Sequence, residues 1–137
     1  MNCSRAAIYS IVFCFVALFT ILSHAQSLLE PKNLTEEEML AINKQPLGSK
    51  PNPVRCSGPK GEREYLNRLR CPNGYKPEFK RTGSYGPGPY GTVIDGYEVS
   101  CEESDVKTTI YMDMYHNAYF ENRPVLGFDI IQAELQE

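Results

Sequence analysis

The chain has 137 residues, of which 42% are hydrophobic and 23% charged, and its formal net charge is −3. This length corresponds to one domain and excludes a large β/α barrel or a complete dinucleotide-binding enzyme. The composition also excludes a collagen and a disordered acidic tail. A small folded domain remains, and none of its motifs identifies a reaction.

The first 25 residues have the pattern of a secretory signal peptide. Arg5 precedes an uncharged run over residues 6–22, and the small residues Ser23 and Ala25 follow it. They stand at the −3 and −1 positions of a cleavage site. We therefore expect cleavage after Ala25 and a secreted or periplasmic product, with an uncleaved membrane anchor as the alternative. Cleavage would leave 112 residues with a net charge of −4.

Residues 26–61 are predicted to form an N-terminal segment with one short helix and a Pro-rich linker. Thr35 and Glu38 have the spacing of a capping box, which predicts a helix over residues 36–44. Asn33 begins an Asn-Leu-Thr triplet, the acceptor pattern for an N-linked glycan. The helix cap explains Thr35 without a glycan, so both interpretations stay open here.

Residues 62–137 are predicted to form a compact domain. A helix is expected over residues 62–70, and strands are expected over residues 78–84, 92–101, 106–115 and 125–131. The predicted fold class is α+β, with one or two short helices packed on a four-stranded, mainly antiparallel meander. Within the second strand, the dipeptide Asp95-Gly96 predicts a β-bulge that would place Ile94 and Tyr97 on one face. A hairpin turn is the alternative.

Three cysteines remain after cleavage, so at least one is unpaired within the chain. If Thr82 pairs with Val93, strand register brings Cys101 close to Cys71, which predicts a Cys71–Cys101 disulfide. The alternative is a bridge between Cys56 and Cys71. In the preferred pairing Cys56 has no partner within the chain. Three roles are then open for it: a buried spectator, an intermolecular disulfide or a reactive thiol.

One candidate catalytic group lies at the end of the third predicted strand. Asp113, Tyr115 and His116 could perform acid–base chemistry, and Asp95 is expected opposite Met112 on the neighbouring strand. His116 is the only histidine after residue 25, which excludes zinc sites with two histidines. We predict no metal and no cofactor. We also expect His116 to be exposed, so that its replacement by Ala leaves the fold intact.

A second candidate site is the loop from Tyr85 to Tyr90, which is rich in Tyr, Gly and Pro. Tyrosine gives a large amphipathic contact at low entropic cost, and it is common in recognition surfaces. With Tyr97 and Tyr119, these residues form the predicted binding set. The alternative is a well-packed surface loop.

Charge is divided unevenly along the chain. Residues 50–81 carry a net charge of +6 and residues 82–137 carry −8. The two regions could neutralise each other within the fold, or the basic one could face an anionic partner. Nucleic acid is not the expected partner of an exported acidic domain without a binding motif. A membrane partner is expected only if the signal segment is retained.

These observations favour a small exported, disulfide-containing binding or inhibitor-like module with an extracellular or periplasmic partner. The first alternative is a small extracytoplasmic hydrolase that uses His116 and Asp113. The second is a structural envelope or matrix protein crosslinked through Cys56.

Overall fold

The structure is a computed structural model that describes residues 30–102 and 107–132. The predicted signal segment, its cleavage site and the start of the third predicted strand lie outside these ranges. Within them, no helix is both long enough and apolar enough to cross a membrane.

The described residues form two helices, a four-stranded sheet and a separate pair of short strands. In chain order the elements are α1 (Glu36–Asn43), β1 (Val54–Arg55), α2 (Gly58–Arg68), β2 (Leu69–Arg70), β3 (Glu78–Pro87), β4 (Val93–Ser100), β5 (Lys107–Asp113) and β6 (Asp129–Ile130). The sheet has the order β1-β5-β4-β3, and β6 pairs with β2. Only β1 runs parallel to its neighbour, β5. The predicted α+β class is confirmed.

The fourth strand of the sheet is not the predicted one. The sheet is completed by β1, which pairs Val54 with Met112, and a two-residue strand is too short to show an alternating pattern. The segment predicted as a strand over residues 125–131 contains Gly127, whose φ of 88° turns the chain. Only Asp129 and Ile130 then extend, and they pair with β2.

Both helices begin where local chemistry favours a start. In α1, the Thr35 hydroxyl accepts the backbone N–H of Glu38 at 3.2 Å, and the Glu38 carboxylate accepts the Thr35 N–H at 2.8 Å. The predicted capping box is confirmed. Helix α2 begins at Gly58, four residues before the prediction, because Pro59 occupies its first turn, where the missing N–H costs nothing.

The predicted bulge at Asp95-Gly96 is wrong, and so is the alternative turn. Strand β4 passes straight through these residues and pairs one for one with β5, so Ile94 and Tyr97 lie on opposite faces. The irregularities lie on β3, between Arg81 and Gly83 and between Ser84 and Pro87. Each adds one residue to β3, which extends the strand through Tyr85 into the predicted loop.

The core lies between α2 and one face of the sheet, here called the inner face. Its buried members come from both layers and from the segments beside them: Val54, Cys56, Tyr65, Leu66, Leu69, Tyr97, Val99, Ile110, Met112 and Val125. The Cys71–Cys101 disulfide joins the end of β2 to the end of β4, with a Cα–Cα distance of 5.9 Å. The predicted pairing is confirmed, although the register is shifted, since Phe79 rather than Lys76 pairs with Val99.

Candidate functional site

An aromatic and cationic cluster lies on the outer face of the sheet, opposite the core. The rings of Tyr85 on β3 and Tyr111 on β5 meet edge to face, with centroids 5.3 Å apart. The Lys50 ammonium lies 5.0 Å from the centroid of Tyr85 and 5.3 Å from that of Tyr111. The ring quadrupoles attract this cation and hold it above both rings. We call Lys50, Tyr85 and Tyr111 the outer-face cluster.

Gly96 explains how Tyr85 reaches this position. Gly96 pairs with Tyr111 in the sheet, and the Tyr85 ring lies against its backbone. A Cβ atom on residue 96 would come within 2.4 Å of Tyr85 Cε2. The Tyr85 hydroxyl is 2.9 Å from Thr82 Oγ1, which fixes the other end of the ring. Tyr85 is nevertheless 41% exposed, so an ordered aromatic ring faces solvent.

The charge of Lys50 is available to a partner. Lys50 is exposed, and none of the ion pairs in the described part of the chain includes it. Lys107, at the start of β5, differs, because its ammonium binds Glu98 at 2.8 Å. The outer-face cluster therefore presents one positive charge beside two aromatic rings.

The predicted catalytic group is only partly assembled. Asp113 is fully buried and accepts hydrogen bonds from the Thr92 hydroxyl and, at 3.1 Å, from the Tyr115 backbone N–H. His116 Nε2 lies 3.3 Å from Asp113 Oδ2, without the alignment of a hydrogen bond. These contacts place Asp113 and His116 side by side. Tyr115, in contrast, lines a shallow cleft.

His116 is not exposed, contrary to the expectation from its position after a strand. Its side chain is 13% exposed and packs edge to face against Tyr90, with ring centroids 4.6 Å apart. Tyr90 is itself buried, and its hydroxyl has no hydrogen-bond partner among the described residues. No Ser, Thr or Cys side chain in the described ranges is hydrogen-bonded to the His116 ring, so the geometry lacks a nucleophile beside the base.

Asp95 does not join this group. It lies opposite Met112, as predicted, but alternation along the strands directs it to the inner face, away from Asp113. Its carboxylate accepts hydrogen bonds from the Arg81 guanidinium at 2.7 and 2.8 Å and from the Ser84 hydroxyl at 2.8 Å. These three hydrogen bonds satisfy the Asp95 carboxylate, which forms a structural ion pair with Arg81 at the sheet edge.

The predicted binding tyrosines are divided among three environments. Tyr85 is exposed, Tyr90 and Tyr97 are buried, and Tyr119 is half-buried beneath the Arg55 guanidinium, 3.9 Å from its ring centroid. Arg55 also donates a hydrogen bond to the Tyr119 hydroxyl at 2.6 Å. Only Tyr85 of this set belongs to an exposed cluster. Sequence reasoning missed Lys50 and Tyr111, although Tyr111 has the outward phase of its strand.

A buried polar network lies next to Tyr119. The Tyr119 hydroxyl donates to Glu121 at 3.3 Å, and Arg123 makes a bidentate ion pair with the same carboxylate. Burial by itself raises the pKa of Glu121, but the hydrogen bonds from Arg123 outweigh it and leave the pKa lowered. The buried Glu121 carboxylate is therefore both ion-paired and hydrogen-bonded.

Cys56 lies in the core at 3% exposure. Burial raises the pKa of its thiol, and the carboxylates of Glu62 and Asp113 raise it further. A crosslink or a reactive thiol requires an accessible sulfur, so this geometry favours the buried spectator.

The cleft beside Tyr115 has a volume of about 300 Å³ and is lined by Gly58, Pro59, Met114, Tyr115 and Asn117. It holds no ionisable group other than the Tyr115 phenol. In the described ranges, no group of three or more His, Cys, Asp or Glu side chains is placed to hold a metal ion.

Comparison of the chain with protein-family models, with curated proteins and with solved structures finds no match.

Proposed function

We propose that this protein is an exported binding module that contacts an acidic segment of a partner protein through the outer-face cluster. The observation that carries the proposal is the exposed, ordered Tyr85 ring beside the Lys50 cation. Tyrosine is one of the residue types enriched in binding hot spots. An inhibitor-like role would use the same contact with an enzyme as the partner.

The chemistry of the cluster favours an acidic partner. The Lys50 ammonium is preoriented by Tyr85 and Tyr111, so a carboxylate can bind it with little loss of side-chain freedom. The two rings give an apolar surface next to that charge. An acidic residue flanked by apolar or aromatic residues complements both features.

Export is supported by the signal-peptide pattern of residues 1–25 and by the Cys71–Cys101 disulfide. Disulfides persist in oxidising compartments such as the extracellular space and the periplasm. The predicted processing gives a product that begins at Gln26. Intact-mass analysis of the exported protein would measure that start directly.

The hydrolase has weaker support. Asp113 and His116 are adjacent, but Asp113 is fully buried, His116 is half-buried, and neither faces a described cleft with a nucleophile. The crosslinked structural protein has weaker support still, because the Cys56 sulfur is in the core.

The proposal is tested with an array of peptides matched in length and apolar content, in acidic, neutral and basic versions. We expect the acidic versions to bind. Lys50→Gln should weaken this binding and make its affinity less dependent on salt concentration. Lys107→Gln is the matched control, because Lys107 is already paired with Glu98. Three results would contradict the proposal. They are a preference for basic peptides, equal effects of the two variants, and binding only to acidic oligosaccharides on a parallel array.

A further inference from the structure

The triplet Asn33-Leu34-Thr35 is a feature that the proposed binding surface does not use. It is the only Asn-x-Ser/Thr triplet in the chain after residue 25. Its first residue is exposed and lies in an irregular segment just before α1. Acceptor triplets for N-linked glycans lie on such surface segments, where a transferase can reach the amide.

Helix capping explains only part of the triplet. Thr35 is the N-cap of α1, and its extended backbone, with φ −68° and ψ 161°, directs its hydroxyl to the Glu38 N–H. Ser, Asp or Asn would cap the helix equally well, so the cap does not require threonine. Asn33 lies two residues before the cap and has no part in the capping box. The cap therefore accounts for position 35 but not for position 33.

The neighbouring contacts hold this segment at the surface. The Lys32 backbone N–H donates to the Tyr90 carbonyl at 2.8 Å. The Lys32 side chain packs against Gly91, so closely that a Cβ atom on residue 91 would collide with it. Residue 32 is thus anchored on one side of Asn33, and the helix cap at Thr35 is anchored on the other. The exposed Asn33 therefore lies on a short surface span between two fixed points.

We infer that Asn33 is an N-linked glycosylation site. This inference rests on the proposed export and applies to a eukaryotic host, because the transferase acts in the eukaryotic secretory pathway. The donor is a lipid-linked oligosaccharide diphosphate. A bond forms between Asn33 Nδ2 and C1 of the first sugar, and the bond between C1 and the diphosphate oxygen breaks. The lipid diphosphate leaves with the electron pair, and the amide releases one proton.

The test is expression of the full chain in a eukaryotic secretory cell, with intact-mass analysis of the medium before and after an amidase that removes N-linked glycans. We expect secreted protein with a single glycan, and Asp at position 33 after the amidase. Thr35→Ser retains both the triplet and the cap, so it should be modified. Thr35→Asp retains the cap alone, and Asn33→Gln leaves the cap untouched, so both should be secreted without a glycan.

The outcomes separate this inference from the export on which it rests. The cells should also express a control glycoprotein, to show that glycosylation takes place. If that control is glycosylated while the secreted protein has an unmodified Asn33, the inference is overturned and export stays intact. Protein retained in the cytosol with residues 1–25 attached would overturn both. Modified Thr35→Asp protein would also overturn it, because that variant lacks the acceptor triplet.

Discussion

The Tyr97 hydroxyl donates a hydrogen bond to Glu62 Oε2 at 3.0 Å, which joins α2 to β4 inside the core. Glu62 is only 1% exposed, and its Oε1 atom has no hydrogen-bond partner among the described residues. The pKa of Glu62 is raised to about 7, chiefly by burial. The hydrogen bond from Tyr97 partly offsets this effect, because it stabilises the charged carboxylate. The Asp95 carboxylate raises it further, while Arg81 and Arg63 lower it.

For the Glu62–Tyr97 pair we predict a contribution to stability that falls with rising pH. The unfolded carboxyl has a pKa near 4.5 and the folded one a pKa of about 7, so unfolding releases a proton between these values. The contribution of Glu62 to stability should therefore be largest below pH 4.5, decline up to pH 7 and level off above it. Glu62→Gln keeps an acceptor for Tyr97, so it should gain stability over the native chain across that window, by about 3 kcal/mol at pH 8. Chemical denaturation at several pH values measures this difference. A difference independent of pH would contradict it.

Removing the disulfide should destabilise the fold. A bridge between Cys71 and Cys101 restricts the unfolded chain, and the chain-entropy relation for a loop of this length gives about 3–4 kcal/mol. Denaturant unfolding of the double variant Cys71→Ser/Cys101→Ser should show that loss, whereas Cys56→Ser should leave the bridge in place. A Cys56–Cys71 peptide in a non-reducing peptide map would refute the pairing.

Gly96→Ala should displace Tyr85 without removing its ring. The new methyl group would overlap Tyr85 Cε2, and the exposed ring can move away, so we expect a stability loss of about 1 kcal/mol. Peptide binding should weaken to the extent that we expect for Tyr85→Ala. The control is the double variant Gly96→Ala/Tyr85→Ala. Because both changes act on one ring, their effects on binding should not add. Additive losses would show that Gly96 acts by another route.

His116→Ala should destabilise the protein, the reverse of what its position in the sequence predicts. The imidazole packs on Tyr90 and lies beside the buried Asp113, so truncation leaves a cavity against both side chains. A loss of about 1–3 kcal/mol is typical of such changes. Thermal melting with Asn117→Ala, an exposed neighbour, as the control would measure it. Equal melting temperatures for the two variants would argue against this packing role.

Features controlled by neighbouring residues were predictable. The capping box between Thr35 and Glu38 needs only local contacts, and the strand predicted over residues 106–115 follows from alternation along one segment. The pairing of Cys71 with Cys101 survived an error in register, because the turn after Cys71 absorbs a shift of a few residues.

Features controlled by distant segments were not predictable. Tyr85 and Tyr90 belong to one Gly- and Pro-rich stretch, yet the irregularities of β3 direct the first to solvent while the second is buried against His116. The burial of His116 depends on Tyr90, which no local pattern places there. Lys50 lies in a Pro-rich segment with no periodicity, so only the fold brings it to Tyr85 and Tyr111.

The central claim is that Tyr85 belongs to the binding surface, and the most direct test compares it with a matched tyrosine elsewhere. Tyr75 is 67% exposed and lies outside the outer-face cluster. Calorimetric titration should use the acidic peptide that binds most tightly on the array, with the native chain, Tyr85→Ala and Tyr75→Ala at one salt concentration. We predict that Tyr85→Ala weakens binding about tenfold or more, a loss of about 1.4 kcal/mol, while Tyr75→Ala binds like the native chain. Equal affinities for the two variants, with both folded as judged by melting, would contradict the account.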